Sequence, residues 1–90
     1  MSRTIYRLLY KKSVDKDLRK LPSAIRKHVI KKIQELTTTP HPQESTKLKG
    51  SADLYRVRYT DYRIIYQIND NRLIILIIKV GHRKDVYRDF

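Results

Sequence analysis

The stretch LYRVRYTDYRIIYQIN, residues 54–69, alternates apolar and polar side chains on both sides of Thr60–Asp61. Successive side chains of a strand point to opposite faces. The pattern therefore predicts two antiparallel strands, Leu54–Tyr59 and Tyr62–Asn69, joined by a two-residue turn. Tyr55, Val57 and Tyr59 share a face with Tyr62, Ile64, Tyr66 and Ile68. Arg56, Arg58 and Arg63 fall on the other face, with Ile65 and Gln67. A two-stranded hairpin is marginal alone in water. The rest of the chain must therefore cover the apolar face, which leaves the arginine face open.

The remaining segments supply that cover. The most apolar run, LIILII at residues 73–78, lies in a strand expected over Arg72–Val80, after a tight turn at Asp70–Asn71. An aromatic and branched segment, residues 4–10, reads as a first strand. In KKSVDKDLRKL, Val14, Leu18 and Leu21 recur at helical spacing, and Pro22 ends that helix. Ser23 is the expected N-cap of a second helix, in which Ile25, Val29, Ile33 and Leu36 form one face. Residues 37–46, with two prolines, read as a loop. The expected plan is βααβββ: an α+β fold with a helical hairpin on one face of a mainly antiparallel, four-stranded sheet. At 90 residues there is room for one core, so residues 1–90 are read as a single domain.

Charge points to the partner. The chain carries 21 Lys and Arg against 9 Asp and Glu, a net charge of +12. Such an excess repels itself in the folded state and suits a polyanion, nucleic acid first and an acidic protein second. The helical hairpin from Lys11 to Glu35 alone has nine basic and three acidic residues. There is no cysteine, hence no disulfide or thiolate zinc site. His28, His41 and His82 lack ligand spacing and the acidic residues are scattered, so neither a metal nor a cofactor is expected. No segment has the apolar length of a signal or a membrane span, so a cytoplasmic protein is expected, without membrane association.

On the sheet, same-face neighbours are about 5–7 Å apart, which crowds the arginines. Each could reach water independently, but the third strand is expected to end at Val80–Gly81 and deliver His82 and Arg83 to the same rim. Gly81 would permit the sharp exit, and Tyr87 would fold back over the cluster. A groove of Arg56, Arg58, Arg63, His82, Arg83 and Tyr87 would hold phosphates and stack a base. Metal-free RNA cleavage by the substrate's own 2′-hydroxyl suits it, since the protein need only orient, move protons and neutralise charge. A tyrosine among guanidiniums has its pKa lowered and could act as base.

Lys47 to Arg88 resembles the RelE/ParE toxin superfamily, specifically its RelE-like ribonuclease branch, through KLKG, YRVRYTDYRIIYQI and VGHRKDVYR in order. The resemblance implies a ribosome-dependent endoribonuclease that cuts mRNA in the A site, leaving a 2′,3′-cyclic phosphate and a 5′-hydroxyl. It also implies a toxin–antitoxin hetero-oligomer with a small, acidic, partly disordered antitoxin. Arg63 and Arg83 would then stabilise the phosphate, with Arg83 assisting the leaving group and Tyr87 acting as base or stacking platform. Arg56 and Arg58 would bind RNA, Lys49 would be a peripheral contact, and the helical hairpin would grip ribosomal RNA. Relatives often carry lysine at 56 and 58, and arginine there cannot serve as a general acid or base. Two alternatives share the fold: a ParE-like gyrase poison and a non-catalytic RNA-binding protein.

Overall fold

The computed structural model describes residues 5–50 and 53–86. Its elements are β1 (Arg7–Tyr10), α1 (Lys12–Arg19), α2 (Ser23–Glu35), β2 (Thr46–Lys47), β3 (Leu54–Tyr59), β4 (Tyr62–Asn69), β5 (Ile74–His82) and a final turn, α3 (Arg83–Val86). The sheet order is β1-β5-β4-β3-β2, with β1 parallel to β5 and the other pairs antiparallel. Alternation along the central hairpin is as expected: Val57, Ile64, Tyr66 and Ile68 are buried in one core with Val14, Leu21, Val29, Ile33 and Leu36 of the helical layer.

Several expectations are corrected. The sheet has five strands among the described residues, because Thr46 and Lys47 pair with Arg56 and Tyr55. Two polar residues carry no periodic signal, and only the free edge of β3 makes them a strand. The first strand begins at Arg7, since the Tyr6 N–H is drawn to the Thr37 carbonyl after α2 (2.8 Å) instead of to β5; residue 4 lies outside the described residues. The turn after β4 spans residues 70–73, closed by Asn69 Oδ1 accepting from the Arg72 N–H (3.1 Å), and the left-handed residue is Leu73 at φ 55°. Thr60, in the two-residue turn, is also left-handed at φ 52°. The N-cap of α2 is Pro22, whose carbonyl accepts the first helical bond from Arg26 N–H at 2.8 Å. Ser23 is already helical, so its hydroxyl plays no capping role.

A further difference matters for the site. β5 continues through Gly81 to His82, so Gly81 is not an exit from the sheet. It pairs with Arg63 on the arginine face, and a Cβ there would meet Val86 Cγ2 at 3.3 Å. Glycine suits the close approach of α3 over the strand, since any Cβ would oblige Val86 to give by a few tenths of an ångström. Ile65, on the same face, is 0% exposed, as is Val86, and both lie outside the main core cluster. The second face is thus partly covered.

At β5's outer edge, β1 stops opposite Ile77, and the Val80 N–H beyond it donates to Asp17 Oδ2 of α1 (3.2 Å). That carboxylate also faces Lys79 Nζ at 3.8 Å. The loop before β2 is held by buried Tyr66, whose hydroxyl donates to the Pro40 carbonyl at 2.9 Å. Burial pushes the Tyr66 phenol up to about 12. An unfolded tyrosine titrates near 10, so this contribution to stability is complete below pH 10 and is lost as pH rises through 12. Urea unfolding should find Tyr66→Phe about 1 kcal/mol less stable than wild type at pH 8. The gap should close by about pH 11, other tyrosines and lysines cancelling between the two chains. A gap independent of pH would contradict the assignment.

Candidate RNA-cleavage site

Strand register sets the cationic face. Arg58 stands directly opposite Arg63, and Arg63 opposite Gly81; one row further along, Arg56 opposes Ile65. Like charges paired across strands are unfavourable by some tenths of a kcal/mol, and nothing in the core requires them there. Arg56, Arg58 and Arg63 line one open groove of about 640 Å³ with Thr46, Gln43, Glu44 and Lys32.

The turn between β3 and β4 organises the rim. The Arg63 guanidinium donates to the carbonyls of Thr60 and Tyr62, both at 3.3 Å. The backbone N–H of Arg83 donates to the Asp61 carbonyl of the same turn at 2.7 Å. Residues from β4 and from the start of α3 are thereby tied to one three-residue segment, which fixes the backbone of exposed Arg83 beside the arginine face. A delocalised cation anchored as Arg63 is suits a phosphate or a developing phosphorane charge, because it needs no reorganisation during reaction.

Not every expected residue is gathered here. His82 pairs with Tyr62, and its ring meets the Tyr62 ring edge-on at 5.6 Å. That contact puts His82 on the helical side of the sheet, because β5 runs two residues longer than expected and parity follows. Lys49 is exposed and lies past β2 at the Leu54 end of β3, away from the groove lining. Tyr87 lies outside the described residues.

Sequence reasoning missed Lys32, Gln43, Glu44 and Thr46. Glu44 is the carboxylate of the groove lining and pairs with Lys32 at 2.9 Å. The hydrogen bond from Lys32 holds its carboxyl below the usual carboxylate range. Nothing in the proline-flanked HPQEST marks it; its position follows from Tyr66 holding Pro40 and Ser45 bonding back to Pro42 (2.8 Å). Among the described residues no cluster of three His, Cys, Asp or Glu could hold a metal ion, and no helix is long and apolar enough to cross a membrane.

A helical hairpin on a mainly antiparallel sheet, with arginines grouped on the open face, defines a small cationic α+β protein. Residues 8–87 match the model of the ParE toxin family of type II toxin–antitoxin systems, parDE, and the chain belongs to the RelE/ParE superfamily of toxins. It is similar to the mRNA interferase toxin RelE of Escherichia coli K12, 36% identical over 78 residues that cover 82% of this chain and 81% of that protein. It is also 37% identical over 81 residues to the putative toxin RelE1 of Methanocaldococcus jannaschii, covering 87% and 90%. In three dimensions it resembles a chain of the archaeal RelE–RelB complex from Pyrococcus horikoshii OT3, with TM-score 0.79 and 36% identity, covering 91% and 99%. A chain of the intact E. coli RelBE toxin–antitoxin complex gives TM-score 0.75 and 32% identity, covering 86% and 95%.

Proposed function

We propose that this chain is the toxin of a type II toxin–antitoxin system, an endoribonuclease that cleaves mRNA in the ribosomal A site and so inhibits translation. The observation that supports the reading is the cross-strand pair Arg58–Arg63 beside the Thr60–Tyr62 turn, to which the Arg83 backbone is also tied, in a chain similar to an mRNA interferase. Attack is by the 2′-hydroxyl of the RNA, without a metal. Arg63 and Arg83 neutralise the phosphorane-like charge, and Arg56 and Arg58 seat the flanking phosphates. Tyr87 is the general base; it follows Val86, whose side chain rests on Gly81, the cross-strand neighbour of Arg63. Lys49 contacts RNA peripherally.

The protein works in the cytoplasm as one domain, residues 1–90, and is silenced by a small, acidic, partly disordered antitoxin. The relatives crystallised as RelE–RelB complexes and the net charge of +12 both support that partner. Translation of a defined mRNA with the protein, followed by 5′-end mapping, should show cuts at A-site codons that leave 5′-hydroxyl ends. Tyr87→Phe should slow those cuts by about 10²–10⁴-fold, the usual worth of a general base. Intact message at stalled ribosomes would overturn the proposal. The ParE name of the matched family favours a second reading, a gyrase poison; it requires inhibited supercoiling with mRNA left whole.

A further inference from the structure

Behind the arginine rim, on the helical side of the sheet, two aromatic ring pairs, His28–Tyr59 and Tyr62–His82, sit side by side through the Tyr59–Tyr62 strand register. His28 of α2 stacks on Tyr59 of β3, centroids 5.2 Å apart and planes 18° apart. Tyr59 pairs across the strands with Tyr62, and Tyr62 with His82, whose ring meets it at 5.6 Å. This group crosses the sheet at the end that carries the Thr60–Asp61 turn, the same turn that anchors Arg63 and the Arg83 backbone. Its outer end is exposed: His28 lines an open groove of about 400 Å³ with Lys27, Lys31, Ser23 and Ala24, and among the described residues no carboxylate lines it.

We propose that the exposed His28 ring, backed by Tyr59 on the core side, is a base-stacking platform for single-stranded RNA that leaves the arginine groove, with Lys27 and Lys31 holding the adjoining phosphates. The inference rests on the ribonuclease reading above and extends it to nucleotides outside the cleaved step. Aromatic faces beside lysines are the chemistry by which proteins hold unpaired bases without reading their edges. An exposed histidine adds little to core packing, so the His28–Tyr59 stack leaves a ring free to extend. An acidic peptide would be matched by the lysines but would make no use of the ring.

The probe is a 2′-O-methyl RNA dodecamer, which lacks the nucleophile and stays uncut, with 2-aminopurine placed at successive positions. Wild type should quench the fluorescence at one or two positions. His28→Ala should remove that quench and raise Kd about tenfold, while His28→Tyr, which keeps a ring, should restore both. The Lys27→Ala/Lys31→Ala variant should lower the salt slope of log K by about 0.7 for each phosphate it no longer neutralises. Equal quench and affinity in wild type and His28→Ala would overturn the platform, and if wild type still cuts mRNA on ribosomes the proposed function stands. Wild type that neither binds the probe nor cuts mRNA would overturn both.

Discussion

Arg63→Ala is expected to slow mRNA cleavage on programmed ribosomes by about 10²–10³-fold, the usual cost of removing one preorganised group that stabilises developing negative charge. Its stability should move the other way. Arg63 faces Arg58 directly across β3 and β4, and its hydrogen bonds, to the Thr60 and Tyr62 carbonyls, are long at 3.3 Å. Removing it relieves a like-charge pair worth some tenths of a kcal/mol, so the melting temperature should hold or rise slightly. Arg63→Lys keeps the charge but loses the planar fork, and should recover part of the rate. Single-turnover rates on ribosomes and thermal melts of the same preparations check both halves. Wild-type cleavage in Arg63→Ala would remove Arg63 from the chemistry. A slowed rate with a large fall in melting temperature would recast it as structural.

The second large effect concerns stability. Ile65 lies on the arginine face, where alternation alone would leave it in water, and substitution to alanine there would cost little. In the fold it is fully buried, outside the main core, on the face over which α3 turns back. Ile65→Ala should therefore cost about 2–4 kcal/mol, as buried isoleucines do. For a chain of this length that lowers the melting temperature by roughly 10–25 °C. Urea or thermal unfolding measures it directly. A change within about 0.5 kcal/mol, as at an ordinary surface position, would show that α3 leaves this face open. Because α3 begins at Arg83, the same substitution should also loosen the rim and slow cleavage more than the fraction of unfolded protein explains.

The two substitutions separate what alternation could and could not reveal. Alternation placed Arg56, Arg58 and Arg63 on one face and Val57, Ile64, Tyr66 and Ile68 on the other, because strand geometry is local and has a period of two. It could not reveal that Ile65 has a cover, since the covering turn folds back from a segment 18 residues later. The same limit explains His82. One residue of parity decides the face of a side chain, and parity there depended on β5 running through Gly81 and on an irregularity in its pairing at Ile65/Tyr66.

The amino-acid sequence by itself determined the helical hairpin, the β3–β4 hairpin, the strongly cationic surface and the shared face of three arginines, all of which follow from period, turn chemistry and charge. The tertiary structure alone decided that Thr46 and Lys47 form an edge strand, that Lys32 and Glu44 wall the groove, that Arg63 and the Arg83 backbone anchor on one turn, and that His82 meets Tyr62 beside the His28–Tyr59 stack. Each of these depends on contacts between segments far apart in the chain, whose pairing is fixed by the packing of the whole domain and leaves no local pattern to read.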